Sequence, residues 1–238
     1  MHPYNEIMKI ANNVEMLEIE SMGSKVNLTL TWDKNSLVLI DTGFPGQTEL
    51  IVKAISSAGF QAKNITHIIL THQDIDHIGC LKELLKLAPG AQVMAHKDEA
   101  PYINGRKTPV KLAGMLEQYD KLPPDRKTWC DNMKRAFPGL VVPVTHTISD
   151  GEVLPECGGI EVIFTPGHTP GHICLYLRES KILVTGDALN VAEGKLAGPN
   201  PQFSFDMDLA LKSAEKAKKF PFMAVVSHHG GYLKTAFR

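Results

Sequence analysis

Thr71-His72-Gln73-Asp74-Ile75-Asp76-His77 sets four metal-capable side chains within six positions, directly after the apolar run Ile68-Ile69-Leu70. An extended strand hands its chain into a loop at such a point, and the helix-like run Ile78 to Leu87 follows. Imidazoles and carboxylates leaving a strand end can converge on one point instead of spreading over a solvated surface. The stretch therefore predicts a metal site, whose remaining ligands must come from elsewhere in the chain.

Three further segments place metal-capable residues just after strand-like runs. They are Thr165-Pro166-Gly167-His168-Thr169-Pro170-Gly171-His172, Thr185-Gly186-Asp187 and Ser227-His228-His229-Gly230-Gly231. An earlier one, Leu39-Ile40-Asp41-Thr42-Gly43, has the same strand-then-turn character. Taken in order, these five motifs resemble the signature motifs of the metallo-β-lactamase superfamily, and the resemblance runs from about Val14 to Gly231.

The resemblance implies a ligand set, position by position. His72, Asp74 and His168 match the ligands of a first metal, and Asp76, His77 and His229 those of a second. Asp187 matches the carboxylate that bridges both, so that Asp76 and Asp187 are expected to be the catalytic carboxylates. Two divalent metal ions are implied as cofactors, zinc in the first place. Roughly 3.5–4 Å apart, such ions clamp a carbonyl and bring the pKa of a shared water towards about 7. The implied reaction is attack of that hydroxide on an ester-like or amide-like carbonyl. No serine or cysteine nucleophile is needed.

Asp74 departs from the family's usual histidine. A carboxylate is shorter and negatively charged, which makes the first position harder and more open to manganese or iron. At the last motif, the internal echo of the two halves pairs His72 with His228. The family's ligand sits immediately before glycine, which selects His229. His168 is preferred to His172 because the ligand follows the first Pro-Gly. His172 is expected to hydrogen-bond behind the ligands, and Asp41 to orient one of them or fix its loop. His2, His67, His96 and His146 lie outside the motifs and are read as structural or solvent-facing.

At 238 residues the chain is long enough for one substantial core and is read as a single domain, since no Pro/Ser-rich or charged linker divides it. Its net charge of −1 gives no electrostatic reason to expect nucleic acid. No apolar run approaches the roughly 20 residues a bilayer requires. Met1 to Ala11 shows no basic region followed by an apolar stretch, so no secretory signal is read there. The four cysteines, Cys80, Cys130, Cys157 and Cys174, form no Cys-x-x-Cys pair. They suggest reduced, structural thiols and a cytoplasmic setting.

Val14 to Glu20, Lys25 to Trp32 and Ser36 to Ile40 read as successive strands, followed by a helix over Gln47 to Ala58 and a strand from His67. The second half echoes the first: a strand Lys181 to Thr185, a helix from about Asp206 to Lys219, and a strand Ala224 to His228. Two similar halves delivering ligands from strand ends suit two facing sheets with helices outside. The resemblance implies the same four-layer αββα sandwich of two mixed β-sheets. Between the halves, residues 100–138 mix bulky apolar side chains such as Leu116, Trp129 and Phe137 with many charges. This reads as a helical insertion that packs an apolar stripe on the sandwich, lines a pocket beside the metals, or does both.

Superfamily members cleave β-lactams, thioesters, lactones and phosphodiesters. The insertion and the Asn200-Pro201-Gln202-Phe203 loop look most like the acyl-homoserine-lactonase-like branch, so opening of a small-molecule lactone leads. A thioester hydrolase of the glyoxalase II type follows, and a weakly catalytic metal-binding sensor is the non-enzymatic alternative. Family members are often homodimers, which makes a second copy an expected partner.

Overall fold

A computed structural model of the protein describes residues 5–21 and 23–235. Among these residues the first sheet runs, in spatial order, β1 (Asn5–Ala11), β2 (Val14–Ser21), β3 (Ser24–Trp32), β4 (Leu37–Ile40), β5 (His67–Leu70), β6 (Gln92–His96) and β7 (His146–Ile148). Pairing is antiparallel up to β4 and parallel from β4 onward. The second sheet contains β8 (Val153–Leu154), β9 (Ile160–Phe164), β10 (Ile173–Leu177), β11 (Ile182–Val184), β14 (Ala224–Ser227) and β15 (Gly231–Lys234), and β11 and β14 are parallel. A hairpin, β12 (Asn190–Ala192) and β13 (Lys195–Ala197), stands apart.

The layering follows from the alternation of side chains along each strand. Val38, Ile40 and Ile69 point between the sheets and pack with Val162, Leu175, Val184 and Val226 of the second. Their neighbours Leu39, Ile68 and Leu70 face outward, against helices α1 (Thr48–Ser57) and α3 (Leu81–Leu87). On the far side, Cys174, Leu183 and Val225 meet Ala214 and Ala217 of α7 (Met207–Ala217). Helix, sheet, sheet, helix is the four-layer sandwich that the two echoing halves suggest.

The helix expected over Ile78 to Leu87 is broken in two. A single turn, α2 (Ile75–Ile78), begins inside the histidine motif, and α3 starts only at Leu81. The break has a steric cause at Gly79, whose N–H donates to Gly43 O at 2.9 Å. A Cβ at that position would meet the backbone of Pro45 and would lie 2.5 Å from Gly43 O.

The insertion is helical: α4 (Ala100–Ile103), α5 (Val110–Glu117) and α6 (Pro124–Leu140), two residues longer than expected. Leu112, Met133 and Phe137 are buried in the cluster that covers the first sheet. Strand β1 was not read from the sequence; of Met1 to Ala11, residues before Asn5, including His2, lie outside the described residues.

Candidate metal centre

Three strand ends meet at one rim of the sandwich. Beyond β5 come His72 to His77; beyond β11, Asp187; and beyond β14, His228 and His229. The loop joining β9 to β10 supplies His168 and His172. Backbone bonds stitch the two sheets together here. Ile173 N donates to Thr71 O at 3.1 Å and Asn27 N to His228 O at 2.8 Å, so ligand-bearing loops from different halves share one frame.

Two groups of side-chain atoms result. In the first, Asp74 Oδ2 lies 3.1 Å from His72 Nε2 and 3.0 Å from His168 Nε2. In the second, His229 Nε2 lies 3.2 Å from Asp76 Oδ2, and His77 Nε2 lies 3.8 Å from the same oxygen. Asp187 stands between them. Its Oδ2 is 3.4 Å from His168 Nε2 and 3.3 Å from His229 Nε2, while its Oδ1 is 3.4 Å from His77 Nε2.

These separations suit ions. Around a tetrahedral metal with bonds of about 2.0–2.1 Å, ligand atoms stand roughly 3.3–3.4 Å apart. His77 Nε2 and Asp187 Oδ1 are buried yet have no hydrogen-bond partner, an expensive arrangement that a bound cation would relieve. The seven residues expected from the motifs lie at this one rim; the groups whose donor atoms could hold an ion are Asp76, His77, His228 and His229, and His72, His168 and Asp187, with Asp74 beside the latter.

Electrostatics inside the cluster run in two directions. Burial alone would oppose charge on Asp187, but His168 and His77 outweigh it and hold the carboxyl well below its usual range. Burial also opposes charge on His77, yet Asp41, Asp76 and Asp187 together push its pKa well above the ordinary value. His229 rises to about 10, because its bonds to Asp187 and Asp76 overcome desolvation. His72 falls to about 4 through burial and the neighbouring His77.

The residues behind the ligands have legible tasks. Asp41 Oδ2 lies 2.9 Å from His77 Nδ1, and the same carboxylate accepts Thr71 N at 2.8 Å. His172 Nε2 accepts Asp187 N at 3.0 Å and its Nδ1 meets Thr165 Oγ1 at 2.9 Å, which places it behind Asp187. His228 is the less obvious case. Its Nε2 sits 3.1 Å from Asp76 O and must donate there, since a carbonyl only accepts. Its ring stacks on His77 with centroids 3.7 Å apart. It belongs to the same cluster of metal-capable groups, but its neighbour His229 points at both carboxylates.

The other histidines are placed elsewhere. His67 meets Thr66 Oγ1 at 2.8 Å, His96 is buried against the Phe164 ring, and His146 is exposed.

Sequence reasoning missed four participants. Lys111 of the insertion bonds Asp74 Oδ2 and reaches His168 Nε2 at 3.0 Å. Glu99, fully buried, accepts from Gln73 N at 2.9 Å, Gln73 Nε2 at 2.8 Å and Gly171 N at 2.6 Å, tying two ligand loops together. Phe44 and Ile75 join Trp129, Met133 and Phe203 around a pocket of about 260 Å3 whose floor includes Asp76, Asp187 and His229. Nothing in the local pattern around Lys111 or Glu99 marks them.

Comparison with known proteins places the chain in a family. The family model described as Metallo-beta-lactamase superfamily matches residues 22–229. A probable metallo-hydrolase, YflN of Bacillus subtilis (strain 168), is 32% identical, with 85% of this chain and 78% of the relative covered. The hydroxyacylglutathione hydrolase GloC of Haemophilus influenzae is 25% identical over 92% of each. In three dimensions, a metallo-beta-lactamase family protein from Thermus thermophilus superposes with a TM-score of 0.73 at 22% identity, covering 95% of this chain and 76% of that one. With the motifs in order, their side chains gathered at one rim and the family model spanning nearly the whole sequence, the chain belongs to the metallo-β-lactamase superfamily.

Proposed function

We propose that the protein is a metal-dependent hydrolase that opens a lactone, or a related small ester, bearing an apolar substituent. The observation that supports it is the position of Asp187, whose two oxygens face histidines of both ligand groups on the floor of an apolar-walled pocket. His72, Asp74 and His168 would hold one divalent ion with Asp187, and Asp76, His77 and His229 the other. Zinc is the expected metal, and the carboxylate of Asp74 admits manganese or iron as well. Ions bound there would supply Lewis acidity for the carbonyl oxygen and an activated water at neutral pH.

The rest of the reaction belongs to the chain. Asp187 keeps the two ligand groups in register, and Asp41 keeps His77 turned with Nε2 inward. Asp76 lines the pocket, is held ionised by its histidine neighbours against the effect of burial, and would be the carboxylate that receives a proton in this reading. Phe44, Ile75, Trp129, Met133 and Phe203 shield the scissile carbonyl from bulk water and seat the substituent.

One observation favours a second reading. The match to hydroxyacylglutathione hydrolase GloC extends over 92% of both chains, which supports thioester hydrolysis. A panel of lactones, glutathione thioesters and β-lactams, assayed before and after chelation, separates the two. Lactone turnover that vanishes with chelator and returns with zinc or manganese is the expected result. Thioester turnover with lactones untouched would transfer the assignment to the second reading. A fully metal-loaded protein that turns over nothing would replace both with a sensor. No helix among the described residues is long and apolar enough to cross a membrane.

A further inference from the structure

The insertion carries a positive charge into the first ligand group, and the backbone that carries it is pinned in place. Val110 N, at the start of α5, donates to Gln73 Oε1 at 2.9 Å. Gln73 in turn is clamped by Glu99 through both its main-chain N and its Nε2. The first turn of α5 is thus fastened to the very loop that bears His72 and Asp74. Lys111, the next residue, sends its ammonium to Asp74 Oδ2 and to within 3.0 Å of His168 Nε2. The Phe203 ring lies 5.7 Å from Nζ on the pocket side.

An ammonium has three donors and no acceptor, so His168 Nε2 and Asp74 Oδ2 both accept from it. Those are the lone pairs an ion in the first group would need. Among the described residues no lysine or arginine pairs with the carboxylates of the second group; in the ion pairs there, Asp76 and Asp187 are matched only with histidines. The unusual carboxylate at position 74 acquires a physical reason here. It can pair with an ammonium at close range, which a neutral imidazole does less well.

We propose that Lys111 is a tethered competitor for the first metal position. The group of Asp76, His77, His229 and Asp187 fills first, and the group of His72, Asp74 and His168 fills only when the lysine withdraws. Lys111 is therefore a residue that sets how many ions the protein carries at a given metal concentration. This rests on the reading of both groups as metal sites, and its test reads binding alone.

Metal-free full-length protein is titrated with zinc, and separately with manganese, by calorimetry with chelator competition. The wild type should load in two resolved steps. Lys111→Met should tighten the weaker step by at least about tenfold, the scale of losing one charge-assisted hydrogen bond, and leave the tighter step unchanged. Lys111→Arg, which keeps the cation, should keep the wild-type gap, and His168→Ala should abolish the weaker step and so identify it. Circular dichroism reports that each variant is folded. Two steps of equal affinity in the wild type, or an unaltered gap in Lys111→Met, overturns the proposal while leaving the hydrolase reading intact. Failure of the folded wild type to take up either ion overturns both.

Discussion

Asp41 Oδ2 and His77 Nδ1 are 2.9 Å apart, and that contact decides which nitrogen of His77 faces Asp187. Asp41 adopts a left-handed backbone conformation at φ 63°, which turns its side chain back across the rim to Thr71 and His77. Asn tolerates that conformation too. Asp41→Asn should therefore fold, but it loses the charge that holds the imidazole. Affinity for the second ion should fall by about 10–100-fold. Chelator competition on the variant checks this, and an unchanged constant would remove the orienting role.

Asp187 touches histidines of both groups, so its loss should strip both. In Asp187→Ala, metal content should collapse and turnover should drop by at least about 100-fold. The near-ultraviolet dichroism should persist, because the core between the sheets is built from apolar strand residues and does not include this side chain. Elemental analysis after gel filtration gives the answer; full wild-type stoichiometry would end the bridging assignment.

Protons should leave when metal arrives. In the metal-free protein the carboxylates around His229 lift its pKa to about 10 from an ordinary 6.5, and His77 is raised as well. Because these folded-state values exceed the unfolded one, their stabilisation is fully present below about pH 6.5 and is lost as pH rises towards 10. The melting temperature of metal-free protein should fall across that window. Zinc binding near pH 7 should release about two protons per chain, read by calorimetry in buffers of different ionisation enthalpy. Zero release would mean that the histidines are already neutral.

Gly79 sits where the chain leaves the histidine motif against the loop of residues 43–45. A methyl group there would press on backbone, which cannot rotate away. Gly79→Ala should cost about 2–3 kcal/mol and lower the melting temperature by roughly 5–10 °C. A shift within experimental error would show that the loop yields easily.

Trp129 lines the pocket from α6. Trimming it to Ala should raise KM for long-chain substrates by about three- to tenfold and leave short ones almost unaffected. Equal effects on both would make its role structural only.

The sequence carries the near-local information well. His72, Asp74, Asp76 and His77 follow one strand end, and over six residues backbone geometry alone limits where they can point. Strand alternation likewise separates Val38 and Ile40 from Leu37 and Leu39 without reference to anything distant. The order of the motifs carries a family resemblance, and it is that resemblance which implied the αββα layers and nominated Asp187, although it lies far along the chain.

Other decisions were taken by packing. His228 and His229 are adjacent and chemically identical, and only the stacking of one ring on His77 and its bond to Asp76 O separate their tasks. Gly79 breaks a helix that periodicity favours because another loop already occupies the space its side chain would fill. Lys111 reaches Asp74 because Leu112, Met133 and Phe137 bury the insertion against the sheet and Gln73 catches its first turn. Periodicity records which face of a helix is apolar, but where that face lands depends on every surface it must fit, and those surfaces exist only once the chain has folded.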